Sequence, residues 1–423
     1  MMLGVKKLSS SYDIAIVLPP RGMLIRDLTL SFIAAFATTA KKLDKSCHIT
    51  HDYESVYITL ERESDWPLII DSLLMATQKL LELKRSTLRC PQLHFNDYTN
   101  VFRGLLGMKI SKKSSYLDAF ASLVAEPDYC SILRDPNTGV KHLASITFDK
   151  SSLFFGLKVP GIKGYALIQP LKVEAYENGF TFHAPYTMDL EIRTTIPWII
   201  VFGIGFAFSY SGMTPEGLSF ITPDEDSLMN LNDMRLSTAI DISSSLLRAP
   251  VDPVIPYSMY VAFLVPELIS ASKSPEVLGS EVKDFEEYLL SDEEVEALQR
   301  GDIAIPRIKL HKMSTTIRAY TMLLKESVDI SLLTKYAYAL DELTGGPYCR
   351  KAIVNNVIRG ALGGREPKNV NATMLLYEAI HGAKDPYYSV YYIARNFSLE
   401  PSNVDGMIRA FDRLIKQGAF DAR

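Results

Sequence analysis

The chain has 423 residues, which is more than one compact core usually accommodates, so its length predicts two or three domains. Hydrophobic residues make up 47% and charged residues 22%, as in an ordinary folded protein. The formal net charge of −4 excludes a general attraction to polyanions, so a role in nucleic-acid binding requires a local excess of basic residues.

The cysteines and the apolar segments indicate a soluble, cytoplasmic protein. The longest apolar run, at 196–208, is shorter than the roughly 20 residues that cross a bilayer, so we expect a buried core segment. Residues 1–20 lack the apolar core of a signal peptide, and we expect no contact with membranes. The cysteines are far apart and form no CxxC pair, which is typical of reduced thiols: Cys47, Cys90, Cys130 and Cys349.

The first part of the chain alternates between strand and helix patterns. Short apolar runs at 12–18, 46–50 and 55–61 predict strands, and apolar residues recur at helical spacing over 24–43 and 65–84. The order strand–helix–strand–strand–helix predicts an antiparallel α+β unit and not a doubly wound nucleotide-binding fold.

The middle of the chain changes from helix to strand and then to an acidic stretch. Residues 95–133 are predicted to be helical, in two pieces around a basic linker. Strands are predicted over 142–183, where the Asn178-Gly179 pair is a strong hairpin signal. An acidic helix is predicted over 282–302, and the best domain boundary follows it.

From residue 313 to the end, the pattern predicts only helices. Glycine pairs and a proline mark the breaks between amphipathic segments, and short connections between such segments predict a bundle of antiparallel helices. The predicted segments are 314–327, 330–343, 347–362, 371–381, 386–397 and 402–418.

These patterns predict an α+β protein that has an irregular antiparallel α/β body and a C-terminal all-α helical bundle. We expect an N-terminal α+β region over 1–135 and a central region over 136–302 that is first β-rich and then helical. The third region is a basic helical bundle over 303–423.

No motif in the sequence specifies catalysis or a cofactor. Cys47, His48 and His51 are close together, but a zinc site needs three or four ligands, and the two histidines are predicted to face opposite sides of a strand. Phosphate-binding loops and nucleophile motifs do not occur. We therefore predict no catalytic residue, no metal site and no cofactor. Two alternatives stay open: an enzyme whose site is assembled around His48, His51 and His142, and a purely structural scaffold.

Basic residues are concentrated in the last part of the chain. Residues 303–423 contain seventeen Lys and Arg against eleven Asp and Glu, a net charge of +6, so the first 302 residues carry −10. Arg409, Arg413 and Lys416 are predicted to follow one face of the last helix. A basic stripe of this kind is what binding to a phosphate backbone requires.

A second helical face combines Tyr388, Tyr391, Tyr392 and Arg395. Tyrosine rings with an adjacent arginine are compatible with stacking on unpaired bases. Aromatic residues at helical spacing more often pack in a core, and core packing is the interpretation that we expect for this face.

The C-terminal helical segment resembles a known family. Within residues 335–397, the sequences KYAYALDELTGG, LLYEAIHG and DPYYSVYYIARNF are similar to the closing helices of the large subunit of type I CRISPR interference (Cascade) complexes, above all the archaeal type I-A form. The resemblance does not extend over the rest of the chain and contains no diagnostic motif.

This resemblance implies a non-enzymatic subunit of a ribonucleoprotein complex. The body would lie near the 5′ handle of the guide RNA and help inspect the protospacer-adjacent motif of the target DNA. The bundle would pack against small subunits and guide the displaced strand, and the complex would recruit a separate helicase–nuclease. Charge alone selects the candidate contact residues: Lys112, Lys113, Lys158 and Lys163 in the body, and Arg350, Arg359, Arg365, Arg395, Arg409 and Arg413 in the bundle.

Overall fold

The computed structural model describes most of the two ends of the chain and parts of its middle. The described residues are 12–52, 54–104, 106–149, 152–159, 164–172, 191–214, 217–223, 258–260, 262–263, 266, 308–315, 320–328, 330–361 and 367–416. The predicted hairpin at Asn178-Gly179, the acidic stretch 282–302 and the candidate residues Lys163 and Arg365 lie outside the described residues.

The N-terminal region is the antiparallel α+β unit that the sequence predicts. Strands β1 (Tyr12–Val17), β2 (Cys47–His51) and β3 (Ser55–Leu60) form a sheet in the order β1-β3-β2. Helices α1 (Leu24–Lys42) and α2 (Asp65–Thr87) follow β1 and β3. Buried residues alternate along β3, because one face of the sheet contributes to the core and the other does not.

Short helices follow α2, as predicted for residues 95–133. They begin with α3 (Phe95–Asp97), which continues directly into a π-helical turn. After a loop come α4 (Tyr116–Val124), α5 (Pro127–Arg134) and α6 (Gly139–Leu143). The side chains of Ser115 and Asp118 form a capping box that starts α4.

The apolar run at 196–208 forms helix α7 (Ile196–Ser209), which lies in the centre of the body. Every residue of the helix after Ile196 is buried, so the prediction of a core segment is confirmed. The helix packs closely against α1, because Gly205 leaves space for the backbone carbonyl of Leu28. Among the described residues, no helix combines the length and the apolar composition needed to span a membrane.

Two further sheets lie on either side of α7 in the sequence. Strands β4 (Ile146–Asp149), β5 (Ser152–Phe155), β6 (Tyr165–Ala166) and β7 (Glu191–Thr194) form a mixed sheet in the order β4-β5-β7-β6. The other sheet has the order β11-β10-β9-β8 and is antiparallel throughout. Its strands are β8 (Tyr210–Thr214), β9 (Gly217–Pro223), β10 (Ile308–Thr315) and β11 (Tyr320–Val328).

The prediction of a helix over 314–327 is wrong, because residues of this range complete β10 and form β11. Strand β10 pairs with β9 on one side and with β11 on the other, so its backbone groups form hydrogen bonds within the sheet. A short apolar run such as TMLL fits a strand as well as a helix, and the pairing with β9 decides between them.

The C-terminal helical region begins at Ser331 and confirms the predicted helices from 330 onwards. We call its described residues, 331–361 and 367–416, the helical module. Its elements are α8 (Ser331–Leu343), α9 (Tyr348–Ile353), a π-helical turn (Val354–Ile358), α10 (Arg359–Ala361), α11 (Pro367–Ile380), α12 (Pro386–Phe397) and α13 (Pro401–Lys416). The predicted breaks at Gly345-Gly346 and Gly382 adopt positive φ angles, which glycine tolerates without strain.

The buried apolar residues form two separate clusters. The larger cluster belongs to the N-terminal sheet, to helices α1 to α7 and to the two other sheets, which together we call the body. The second cluster belongs to the helical module and includes Met259, Tyr260 and Phe263. The division of the chain at residue 303 itself stays a prediction.

Candidate nucleic-acid interface

Lys112 and Lys113 lie at the tip of a turn that hydrogen bonds hold in place. The backbone N–H of Ser114 donates to the carbonyl of Ser111 at 3.0 Å, and the backbone N–H of Leu93 donates to the carbonyl of Ser114 at 2.9 Å. Both lysines are exposed, and within the described residues neither side chain forms an ion pair. The turn therefore presents two adjacent positive charges on a defined backbone.

Lys158 follows β5 and is also exposed. Its Nζ lies 5.9 Å from the centroid of the Phe154 ring, close enough for a weak cation–π interaction. No carboxylate partner is described for this lysine. Lys158 thus stays a candidate phosphate contact on the body.

The prediction that Arg350 contacts nucleic acid is wrong, because this residue is buried and only 1% exposed. Its Nε donates to Asp341 Oδ2 at 2.8 Å, and its Nη1 donates to the backbone carbonyl of Phe263 at 2.7 Å. A buried guanidinium needs such partners, since burying an unpaired charge is costly. Arg350 therefore connects α9 to α8 and to the segment around Phe263, and it offers no charge to a ligand.

Arg359 is exposed and contacts an aromatic residue. Its Nη2 lies 3.4 Å from the Tyr260 hydroxyl, and its guanidinium lies 5.9 Å from the centroid of the same ring. An arginine on an aromatic ring keeps its full positive charge, whereas an arginine beside a carboxylate is largely compensated. Arg359 thus remains a candidate contact.

The predicted stripe on α13 is present, but acidic neighbours compensate two of its charges. Arg409 pairs with Asp405 one turn earlier on the same helix. Arg413 Nη1 lies 2.7 Å from Glu342 Oε2 on α8. Lys416, the third member, is exposed. The charge available for a phosphate backbone is therefore smaller on α13 than the sequence predicts.

The tyrosine face of α12 is the largest departure from the sequence prediction. Tyr388 is 54% exposed and Tyr391 is 59% exposed, so the expected core packing is wrong for both, and only Tyr392 is partly buried. Arg395 is exposed on the same face, and its Nη1 approaches the Tyr391 hydroxyl at 3.5 Å. The buried face of the helix is formed instead by Ser389, Val390 and Ile393.

Tyr387 lies beside this face and is oriented by an acidic residue. Its hydroxyl donates to Asp412 Oδ1 at 2.7 Å, and its backbone N–H donates to Asp385, which caps α12. This contact between α12 and α13 has no sequence signal, because residue 412 is distant in the chain. The apolar spacing of Val390, Ile393 and Phe397, in contrast, is a signal that identifies the buried face of α12.

The three histidines of the alternative enzyme hypothesis have different surroundings. His48 is exposed and His51 is half-buried, so they face opposite sides of β2, as the sequence predicts. His142 Nδ1 accepts a hydrogen bond from the backbone N–H of Leu157 at 3.2 Å, and burial lowers its pKa. Within the described residues, no group of three or more His, Cys, Asp or Glu side chains is positioned to hold a metal ion.

A polar cavity of about 530 Å³ lies elsewhere on the body, between α2 and the start of α4. Within it, Arg85 Nε and Asp118 Oδ1 form an ion pair at 2.8 Å. Desolvation raises the pKa of the Cys90 thiol to about 12, so this cysteine is not a thiolate nucleophile at neutral pH. The cavity is lined by Glu82, Arg85, Ser86, Leu88, Cys90, Ser115, Leu117 and Asp118.

No protein-family model and no curated protein matches the sequence. The candidate interface is consequently defined by the exposure, the charge and the partners of its own side chains.

Proposed function

We propose that this chain is a non-catalytic, nucleic-acid-binding subunit of a cytoplasmic CRISPR interference complex. The observation that carries the proposal is a set of exposed cations without a carboxylate partner among the described residues. A phosphate group binds such a cation without first displacing an ion pair, and the release of condensed counterions then favours binding. The set includes Lys112, Lys113 and Lys158 in the body, and Lys335, Arg359, Lys384 and Arg395 in the helical module.

Both the body and the helical module contribute to this set, so each region can contact its own part of a ligand. Lys112 and Lys113 project from a hydrogen-bonded turn on the body. Lys384 and Arg395 stand before and near the end of α12. A target DNA opened by a guide RNA offers two such parts, the RNA–DNA heteroduplex and the displaced single strand, and each presents a series of phosphates.

The assignment to CRISPR interference depends on the resemblance of residues 335–397 to the large subunit of such complexes. In that setting the Lys112–Lys113 turn would contact the guide RNA or the DNA beside the protospacer-adjacent motif. The helical module would contact small subunits and the displaced strand, and a separate helicase–nuclease would perform the cleavage.

Salt-dependent binding of the full chain tests the nucleic-acid part of the proposal. Fluorescence anisotropy with a labelled single strand should show an affinity that decreases linearly with salt on logarithmic axes. Lys112→Ala combined with Lys113→Ala should reduce the slope by about 0.7 for each lost phosphate contact. Arg395→Ala should reduce both affinity and slope.

Arg409→Ala combined with Asp405→Ala is the matched control, because it removes an exposed arginine of the same module together with the carboxylate that compensates its charge, so the net charge does not change. We expect this variant to bind with nearly the affinity of the unmodified chain. Binding that does not depend on salt, or equal losses in the Arg395 and Arg409 variants, would contradict the proposal.

Sequencing of the RNA that co-purifies with the tagged chain from its native cells tests the assignment to CRISPR interference. The expected result is an enrichment of short RNAs that each combine a repeat-derived 5′ handle with a unique spacer. A co-purified RNA population that matches the total cellular RNA would refute this assignment and leave a general nucleic-acid-binding protein.

A further inference from the structure

The exposed face of α12 has a geometry that charge alone does not explain. Successive residues of an α-helix are separated by about 100° and by about 1.5 Å along the axis. Tyr388, Tyr391 and Arg395 therefore lie within a sector of about 60° and extend over about 10 Å of the helix. Two aromatic rings and one guanidinium thus form a single continuous strip on the surface.

The two rings are exposed, although α12 also has a buried apolar face. Tyr388 and Tyr391 are 54% and 59% exposed, while Val390 and Ile393 on the other face are buried. Exposed aromatic side chains grouped on one face mark interaction sites more often than isolated ones do. This face therefore offers flat apolar surfaces to a partner.

The charged side chains beside the strip that form no ion pair within the described residues are positive. Lys384 precedes α12 and Arg395 lies near its end, and neither forms an ion pair within the described residues. Two neighbouring acidic residues are engaged in hydrogen bonds, since Asp385 precedes α12 and caps it, and Asp412 on α13 accepts from Tyr387. Flat rings between two cations complement a ligand that has planar groups and a negatively charged backbone.

We infer that Tyr388, Tyr391 and Arg395 form a stacking site for the unpaired bases of a single-stranded nucleic acid. This inference rests on the proposed function, because it presupposes nucleic-acid binding and adds the class of strand that the helical module takes. Bases in a duplex already stack on their neighbours and do not present their faces to a protein side chain. The site is thus selective for single strands, with bases on the tyrosines and a phosphate on Arg395.

The test compares three labelled probes of 20 phosphates each: an oligothymidylate, a strand of the same length without bases, and a duplex. Fluorescence anisotropy of the full chain should show tighter binding to the oligothymidylate than to the abasic strand, by about fivefold or more for each stacked base. Tyr388→Ser combined with Tyr391→Ser should reduce the affinity for the oligothymidylate to that for the abasic strand. The affinities for the abasic strand and the duplex should not change.

Two control variants separate stacking from other effects. Tyr388→Phe combined with Tyr391→Phe retains both rings and should retain the preference for bases. Tyr348→Ser removes an exposed tyrosine from α9 and should leave all three affinities unchanged. Thermal unfolding followed by circular dichroism should be the same for all variants, because the replaced rings are exposed. If the double serine variant unfolds early, the two single serine variants are compared instead.

The possible failures are distinguishable. Equal binding of the oligothymidylate and the abasic strand, or an equal loss on all three probes in the serine variant, overturns the stacking site. If that binding still depends on salt, the proposed function stands, and the tyrosine face is then a contact for a protein subunit. If no probe shows salt-dependent binding, both proposals fail.

Discussion

Helices α7 and α12 are both rich in aromatic residues but use them in opposite ways. In α7 the rings of Trp198, Phe202 and Phe206 are buried and contact further aromatic rings of the body. In α12 the rings of Tyr388 and Tyr391 face the solvent. The aromatic residues of α7 stabilise a core, whereas those of α12 form a surface, so aromatic content alone does not identify a buried helix.

Both regions also bury cations for structural reasons, as Lys84 in the body and Arg350 in the helical module illustrate. In the body, Lys84 Nζ donates to the backbone carbonyls of Phe208 at 3.3 Å and Tyr210 at 2.7 Å, where α7 ends. The last carbonyls of a helix lack partners within the helix and carry partial negative charge, so a cation suits this position. In the helical module, Arg350 has the equivalent structural role. Only the exposed cations are available to a ligand.

The largest expected effect comes from Arg350→Ala. The substitution leaves Asp341 and the Phe263 carbonyl without their buried partner. Breaking a buried ion pair typically lowers the free energy of unfolding by about 3 kcal/mol or more. Urea unfolding of the helical module should show this loss, whereas Arg409→Ala, which removes an exposed pair, should cost about 0–1 kcal/mol. Similar losses in the two variants would show that Arg350 is accessible to solvent after all.

Gly205→Ala should have the next largest effect and should act on the body alone. An added Cβ would collide with the backbone carbonyl of Leu28, so α1 and α7 would have to separate. Overpacking of this kind typically costs about 1–3 kcal/mol. In Gly203→Ala the added methyl group meets the side chain of Phe120 and not a backbone atom, so a smaller loss is expected. Thermal unfolding measures both, and a larger loss at Gly203 would contradict the close approach of the two backbones.

Because the thiol of Cys349 is buried, we expect the free energy of unfolding of the helical module to decrease at alkaline pH. Burial raises its pKa to about 12, while an unfolded thiol has a pKa of about 8.5. Between these values the unfolded chain binds fewer protons than the folded one, so stability falls as the pH rises, by up to about 1.4 kcal/mol per pH unit. Cys349→Ala should flatten this decrease in urea unfolding measured between pH 8 and 10. An unchanged slope would indicate that the thiol ionises in the folded state.

Local patterns account for most of the secondary structure. The apolar run at 55–61 and the helical spacing over 24–43 were sufficient to predict β3 and α1, and the apolar composition of 196–208 was sufficient to predict the burial of α7. The strand β11 was mistaken for a helix, because its state depends on pairing with β10, which in turn pairs with β9 across a long separation in sequence. Non-local pairing leaves no periodic signal.

The candidate site was predictable only in part, for the same physical reason. Exposure of Lys112, Lys113 and Arg395 follows from composition, because unpaired charges avoid the interior. The burial of Arg350 depends on Asp341 in the preceding helix and on the carbonyl of Phe263, and no spacing rule connects these residues. Charge counts therefore overstate the number of ligand contacts wherever acidic partners come from other elements.

The smallest expected effect comes from Tyr387→Phe, which removes one hydroxyl and keeps the ring. This hydroxyl donates to Asp412 and connects α12 to α13, but the pair is exposed and water replaces the lost bond. In α7 the surrounding core holds each ring in place. The Tyr387→Phe variant tests whether the hydrogen bond to Asp412 holds the Tyr387 ring in place on α12. Thermal unfolding should be nearly unchanged, while hydrogen exchange at the start of α12 should become faster. A loss of stability as large as that of Arg350→Ala would mean that the tyrosine face belongs to the packing of the module, and the contrast with α7 would then fail.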